Sequence, residues 1–321
     1  MSKNLIIGGM GQDGRLLSEL LISKGEPVLC VIKNNSQSAR IPNVDYRLIE
    51  GPKVESYLAL LNEYAPDVVY NLASLSSVAA CHSNPNSSLK LNYELVTVIF
   101  EAIRVYISKN PEKRIKFVQS GSSEMFGVSE AAINEESQMR PISVYGSHKK
   151  LAFDFLESQK RSYENLKICN LILFNHESVL RPSYFVTQKI AMSAAAQSFY
   201  SSNSIKFGNM DIARDWGCAR EYVKAIAIVG SKFTDSNYVI SSGQMVKVSQ
   251  LLEHAMDYLG FKEIVLDDYQ DMSLFRRNET LPLRGDSRKI NADMGWIAER
   301  SIYSVIEEMV DFQLEKLRQT K

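Results

Sequence analysis

The sequence predicts an α/β chain: a doubly wound parallel sheet with a smaller, interleaved α/β domain. Three observations carry that reading. Short apolar runs alternate with amphipathic helical stretches through the first half, the rhythm of strand–helix–strand units. A glycine-rich turn joins the first apolar run to the first helix. Beyond about residue 174 the rhythm breaks into shorter, mixed segments. The expected division is 1–174 for the sheet domain, with part of 210–245 returning to it, and 175–321 mainly for the smaller domain.

The elements follow in order. Leu5-Ile6-Ile7 is a short apolar run, then comes Gly8-Gly9-Met10-Gly11-Gln12-Asp13-Gly14, then a helix through Leu16, Leu17, Leu20 and Leu21 to Gly25. Gly8 suits a tight turn, Gly11 lets the backbone approach a pyrophosphate, and Gly14 lets helix and strand pack closely. A helix N-terminus adds unpaired N–H groups and a positive dipole end. In this strand–turn–helix setting the turn is a Rossmann-type dinucleotide site rather than a bare glycine loop. Further strands are expected at 27–32, 46–49, 68–72, 115–119 and 166–173, with helices at about 56–64, 92–108 and 145–164.

Past the strand expected at 115–119 the chain reads Gly121-Ser122-Ser123-Glu124, and a later helix carries Tyr145-Gly146-Ser147-His148-Lys149. Tyr145 and Lys149, at i and i+4, share one helix face. A phenol with a pKa of about 10 is a poor base at neutral pH. An ammonium one turn away, helped by a cationic nicotinamide ring, is expected to lower it until the phenolate can take a hydroxyl proton. Ser122 offers a second hydroxyl. Glu124 adds a carboxylate that simple alcohol oxidation does not require. His148 points to another helix face and is left out of the chemistry.

Composition narrows the class. The chain has 321 residues, is 45% hydrophobic, and balances 37 Lys and Arg against 37 Asp and Glu. That balance gives no electrostatic case for nucleic acid or an anionic membrane. No apolar run approaches membrane-spanning length, and Met1 runs almost directly into the first strand, so a cytoplasmic enzyme is expected. Cys30, Cys81, Cys169 and Cys218 are scattered, without CxxC spacing, and fit reduced, mostly buried thiols rather than a metal site.

The GxxGxxG turn, Tyr70-Asn71-Leu72-Ala73, the Ser-Ser-Glu run and YxxxK together resemble an extended short-chain dehydrogenase/reductase. Gly11-Gln12-Asp13-Gly14, Asn175-His176-Glu177-Ser178, Phe185-Val186-Thr187-Gln188-Lys189, Arg214-Asp215-Trp216-Gly217, Gly285-Asp286 and Gly295-Trp296 narrow the likeness to GDP-mannose 4,6-dehydratases. The resemblance covers nearly the whole chain. It implies an NAD(P)-dependent hydro-lyase with Ser122, Glu124, Tyr145 and Lys149 catalytic. Cofactor contacts are implied at Gly8, Gly11, Gln12, Asp13, Gly14, Lys33, Leu72 and Ala73, together with Tyr145 and Lys149. A GDP-linked sugar is expected against Ser76, Ser123, Asn175, Lys189, Arg214, Arg276 and Glu279. His176 and Trp216 read as structural.

Departures from the family pattern sit beside those matches. Its paired arginines after the second strand are Lys33-Asn34-Asn35-Ser36 here. Its Gln and His near Ala73 become Leu75 and Ser77, and its Pro-Arg-Arg-Gly becomes Val179-Leu180-Arg181-Pro182. No acidic residue occurs from Val31 to Ser38, where NAD-specific sites usually place one. Lys33 therefore favours NADP, with NAD the open alternative. The sugar is GDP-mannose or a relative such as GDP-heptose. The rival readings are a C4 dehydrogenase, epimerase or reductase on a GDP-sugar, and a non-catalytic cofactor-binding protein. Apolar residues Leu95, Val98, Ile99 and Ile103 on one helix, and Leu151, Phe153, Phe155 and Leu156 on the other, suggest a second buried surface. The resemblance implies a dimer interface built from these two helices, so a homodimer at least is expected, with a homotetramer open.

Overall fold

The computed structural model describes residues 1–33, 40–201, 205–275 and 282–319. Arg276 and Glu279, and the Asn34–Ser36 stretch after the second strand, lie outside the described residues. The first half runs β1 (Asn4–Ile7), α1 (Gln12–Ser23), β2 (Val28–Ile32), β3 (Asp45–Leu48), α2 (Val54–Tyr64), β4 (Val68–Asn71), α3 (Val78–Ser83), α4 (Pro85–Leu89), α5 (Leu95–Lys109), β5 (Ile115–Ser120), α6 (Val144–Gln159) and β6 (Leu166–Leu173). The second half adds β7 (Asn175–Glu177), α7 (Val186–Tyr200), β8 (Ala213–Cys218), α8 (Ala219–Gly230), β9 (Tyr238–Ile240), β10 (Met245–Lys247), α9 (Val248–Tyr258), α10 (Arg288–Met294) and α11 (Ile302–Gln319).

Among the described residues the main sheet has seven strands in the order β3-β2-β1-β4-β5-β6-β9, all parallel. β1, β2, β4 and β5 are buried at every position, as strands covered by helices on both faces must be. β3, with the polar sequence DYRL, is mostly exposed and forms one edge. One face packs α1 and α8 through Leu16, Leu17, Val223 and Ile226. The other packs α2, α5 and α6 through Leu60, Ile99, Ile103 and Leu156. The order reverses between β1 and β4, and ligands of such sheets bind in the crevice at that reversal.

Two helices differ from their expected bounds. The helical run expected to begin at 92 starts with α4, where the Asn84 side chain accepts from Ser87 N and Pro85 occupies the first turn, both favourable at helix starts. It then passes through a π-helical turn at Lys90–Glu94 before α5. The helix expected to reach 164 stops at Gln159. Lys160 turns extended, with ψ 145°, and Arg161 takes a left-handed φ of 66°. The Lys160 ammonium is held there by Glu157 and Asn237.

A three-stranded sheet in the order β10-β8-β7 forms the second lobe with α7, α9 and α11. Fully buried Ala191, Ala194 and Ala195 on α7 let its neighbours approach closely. Between β8 and β10 the chain returns to the main sheet, laying α8 against α1 and pairing β9 with β6. All four cysteines are free and buried. Among the described residues, no helix is long and apolar enough to cross a membrane.

Candidate active site

The glycine turn lies at the strand-order reversal. Gly8 has φ 90°, and a Cβ there would fall 2.7 Å from Ala73 N. A Cβ on Gly14 would fall 2.3 Å from Gly8 O. Gly11 is different. It is exposed, it caps α1 with no side-chain hydrogen bond, and its Cβ would meet only Gly8 O, at 3.4 Å. Two glycines therefore let the backbone close on itself, and the third leaves an open approach to the first turn of α1. That donor set suits the phosphates of a dinucleotide. Leu72, whose amide donates to Ile7 O at 2.9 Å, and Ala73 form the opposite wall. Lys33 stands exposed just past the end of β2.

The side chains of Gln12 and Asp13 turn toward β7 instead. The Gln12 amide donates to His176 O at 3.0 Å and accepts from Ser178 Oγ at 2.8 Å. The Asp13 carboxylate meets His176 Nε2 at 3.0 Å from either oxygen. Only their backbone N–H groups remain for a phosphate.

The catalytic candidates converge at the carboxyl end of β5. Gly121 closes against β6, its amide donating to Leu171 O at 2.7 Å. The Ser122 hydroxyl then accepts from Glu124 N at 3.2 Å, opening a 3₁₀ turn over Ser123–Met125. Helix α6 sits directly on that turn, since a Cβ on Gly146 would fall 2.2 Å from Glu124 O. Ser143 joins the two. Its hydroxyl caps α6 by accepting from Gly146 N at 3.0 Å, and donates to Glu124 Oε2 at 3.2 Å. The residue that starts the helix bearing Tyr145 and Lys149 thus also holds the Glu124 carboxylate.

Tyr145 and Lys149 are buried one turn apart on α6. Lys149 Nζ donates to Ser120 O at 2.8 Å and lies 5.8 Å from the Tyr145 ring centroid. Burial pushes the phenol up to about 12, opposed by hydrogen-bonding contacts with the Ser122 and Ser74 hydroxyls. Burial likewise pulls the Lys149 ammonium down to about 8. In this structure the phenol thus stands above its ordinary value rather than below it. Exclusion of water drives each group toward its neutral form.

Two contributors carry no sequence signal. Ser74 donates to Asn92 Oδ1 at 2.8 Å, and Asn92 lies buried in the π-helical turn. Asn92 also accepts from Leu75 N and donates to Leu75 O and Ser88 Oγ, each at 3.2 Å, fixing the loop after β4. π-Helical turns recur at functional sites. Ser143 is the exception, because a serine two residues before Tyr145 is an ordinary helix-start signal. His148 Nδ1 binds Ser88 Oγ at 2.9 Å.

Among the expected substrate residues, Ser76 is exposed after β4 and Ser123 is buried in the 3₁₀ turn. Asn175 opens β7 opposite Trp216. Lys189 and Arg214, both half-buried, stand on the second lobe, in the first turn of α7 and on β8. Asp215 ties that lobe together. Its buried carboxylate accepts from Ser242 N and Oγ, Gly243 N and Gly285 N, which offset the upward push of burial on its pKa.

A parallel sheet extended by a seventh strand, with a second lobe built from the C-terminal half, sets the chain among the extended short-chain dehydrogenases/reductases. Solved structures agree on the fold. A UDP-glucose 4-epimerase from Thermotoga maritima superposes with a TM-score of 0.86 at 20% identity, covering 98% of this chain and 99% of that one. A dTDP-glucose 4,6-dehydratase from Bacillus anthracis, in complex with NAD, gives 0.82 at 16% identity, covering 99% and 98%. Sequence narrows the class. Residues 5–309 match the family model described as GDP-mannose 4,6 dehydratase, and the chain belongs to that family. GDP-mannose 4,6 dehydratase 2 of Arabidopsis thaliana is 30% identical over 335 residues, spanning 99% of this chain and 88% of that protein. The chain is thus a nucleotide-sugar dehydratase, a hydro-lyase of the short-chain dehydrogenase/reductase type.

Proposed function

We propose that this enzyme converts GDP-mannose, or a related GDP-sugar such as GDP-heptose, to its 4-keto-6-deoxy product, using NADP. The observation that carries the reading is Glu124, a carboxylate fixed through Ser143 to the start of the helix that bears Tyr145. Oxidation at C4 alone has no use for it.

The glycine turn, the first turn of α1, Leu72, Ala73, Tyr145 and Lys149 hold the dinucleotide. When bound, it would supply a reversible hydride acceptor, so that hydride taken from C4 can be returned to C6. As the phenolate, Tyr145 takes the proton of the 4-hydroxyl; Ser122 and Ser74 donate to that phenolate before the transfer and so favour the charged form. The Lys149 ammonium, and the positive ring that a bound cofactor would bring, would oppose the effect of burial on that phenol. The resulting 4-ketone acidifies the C5 hydrogen. Glu124 removes it, the same proton leaves with the C6 hydroxyl as water, and the proton first taken by Tyr145 balances the one C5 regains when hydride returns to C6. Arg214 and Lys189 supply positive charge for the substrate diphosphate, Arg through its planar donor fork.

Incubation with GDP-mannose or GDP-heptose, without added cofactor, should give a product lighter by one water in mass spectrometry. Oxidation that instead accumulates reduced cofactor would make the enzyme a C4 dehydrogenase. Lys33, and the lack of an acidic residue from Val31 to Ser38, support NADP over NAD. Tighter NAD binding in a comparative titration refutes that preference.

We also propose a homodimer formed through α5 and α6. Leu95, Ile99, Ile103 and Leu156 enter the monomer core. Leu151, however, is 46% exposed, and a groove of about 430 Å³ runs past Val98, Phe100 and Phe155. Light scattering at micromolar concentration that reports a monomer rejects the dimer.

A further inference from the structure

The motifs that distinguish this family from other dinucleotide folds meet away from the catalytic corner, in the seam between the lobes. Asp13 stands in the first turn of α1, where the dinucleotide phosphates are expected. A carboxylate favours a helix N-terminus but repels a phosphate bound there. His176 answers that charge. Its Nε2 lies 3.0 Å from both Asp13 oxygens, and its Nδ1 lies 2.6 Å from Phe174 O. Both ring nitrogens face acceptors, so the protonated imidazolium is the form that satisfies both.

The surroundings hold that ring in place. It stacks on Tyr222 at 4.8 Å, and Tyr222 meets Trp296 edge-on at 5.9 Å. Trp296 is anchored through Nε1 to Glu221 O at 3.1 Å. Gln12 adds its two bonds to His176 O and Ser178 Oγ, so consecutive residues of α1 grip one strand of the second lobe. The other charged groups facing the pair are Arg181, which opposes the imidazolium and favours the Asp13 carboxylate, and Lys149, whose charge feels Asp13. Glu177 is taken up by Arg181 at 3.1 Å. The Asp13 carboxyl lies below its usual value and the His176 imidazole above its own, although burial drives each the other way.

We propose that His176 is a positioning residue for the dinucleotide, clasping the second lobe to α1 and cancelling the Asp13 charge beside the phosphate cradle. The inference rests on the reading that a dinucleotide binds the glycine turn. Charge compensation and mere scaffolding by His176 predict different mutant patterns.

Calorimetric titration of the purified protein with NADP tests it, with circular dichroism as the check on folding. His176→Asn leaves the Asp13 carboxylate uncompensated and should weaken binding by about ten- to thirtyfold, the range of a charge at a partly buried helix end. Asp13→Asn, which removes the charge and keeps a hydrogen-bonding side chain, should bind at least as tightly as the unaltered protein. The double variant should recover most of the loss. Equal weakening by both single changes, with no recovery in the double, would show a purely structural seam and overturn the inference. If His176→Asn fails to fold, pH decides instead. Affinity of the unaltered protein should fall as His176 loses its proton, and that fall should be absent in Asp13→Asn; parallel profiles overturn the inference. An unaltered protein that binds neither NADP nor NAD defeats the functional reading instead. One that binds NADP as tightly as its His176→Asn form defeats the charge compensation alone.

Discussion

The catalytic corner and the seam between the lobes both bury charge, and they treat it in opposite ways. In the corner, Lys149 is buried against a neutral carbonyl, Ser120 O, and its pKa falls to about 8 while the Tyr145 phenol rises to about 12. In the seam, Asp13 and His176 meet as a matched pair and both shift toward their charged forms. A charge buried without a counter-ion is costly to the resting protein and stays ready for an arriving charge. A charge buried with its partner is settled. The difference teaches where to look for chemistry in this fold: at the uncompensated groups.

The largest effect should come from Glu124→Gln, which leaves the phenol, the ammonium and the dinucleotide cradle intact. Water loss should drop by about 10²–10⁴-fold, the usual contribution of a positioned acid–base group. C4 oxidation should persist as enzyme-bound reduced cofactor, visible by absorbance. Unchanged dehydratase turnover would remove Glu124 from the chemistry and leave the corner with no more than alcohol oxidation.

Lys149→Met sharpens the comparison from the side of stability. The folded state holds the Lys149 proton less firmly than the unfolded chain does, where a lysine titrates near 10.5. Between about pH 8 and that value the unfolded chain binds more protons, so stability rises with pH across the window. Replacing the ammonium with an apolar chain should raise unfolding stability at neutral pH by about 1–3 kcal/mol while abolishing turnover. Denaturant unfolding of the two forms measures it. A destabilised Met variant would mean that the Ser120 hydrogen bond outweighs the burial of charge.

The seam should behave in the reverse sense. Asp13 has a lowered folded pKa, so its contribution is present above the ordinary carboxyl range and is lost as pH falls through the lower folded value. His176 has a raised one, so its contribution is full below the ordinary imidazole value and is lost as pH rises through the higher folded value. The pair therefore stabilises most in the mildly acidic window between the two. His176→Asn should cost about 1.5–3 kcal/mol there and less in alkaline solution, as followed by unfolding at several pH values. A deficit that is the same at every pH would reduce the pair to packing.

The sequence made the corner largely legible and the seam hardly at all, for one physical reason. Tyr145 and Lys149 are one helical turn apart, and the glycines lie within a single turn, so local periodicity and backbone sterics reveal both. Gln12 and Asp13 sit in that same turn, and proximity alone assigns them to the cofactor. Their partners His176 and Ser178 come from another lobe, and only the fold brings the two together. Burial was equally hidden. The i and i+4 spacing of Tyr145 and Lys149 speaks for attraction, but the direction of their pKa values depends on water excluded by the surrounding chain. The same holds for the buried Asn92, whose hydrogen bonds join segments that no local pattern connects.

Ser74 offers the finest test of the comparison. Its hydroxyl has one proton, donated to Asn92 Oδ1 at 2.8 Å, and it also contacts the Tyr145 phenol. While the phenol is neutral it can donate to Ser74, and the Asn92 bond is undisturbed. Once Tyr145 is a phenolate it needs donors, and the Ser74 proton can turn to it because Asn92 Oδ1 keeps the Leu75 amide at 3.2 Å. Ser74→Ala should therefore weaken the phenolate alone. The acidic limb of the pH–rate profile should move to higher pH, lowering turnover at neutral pH by about tenfold or less and closing the gap in alkaline solution. Fold stability should change little, since Asn92 retains its other partners. A uniform loss at all pH values would make Ser74 a loop anchor, and an unshifted profile would leave Ser122 as the only side-chain donor that matters to the phenol.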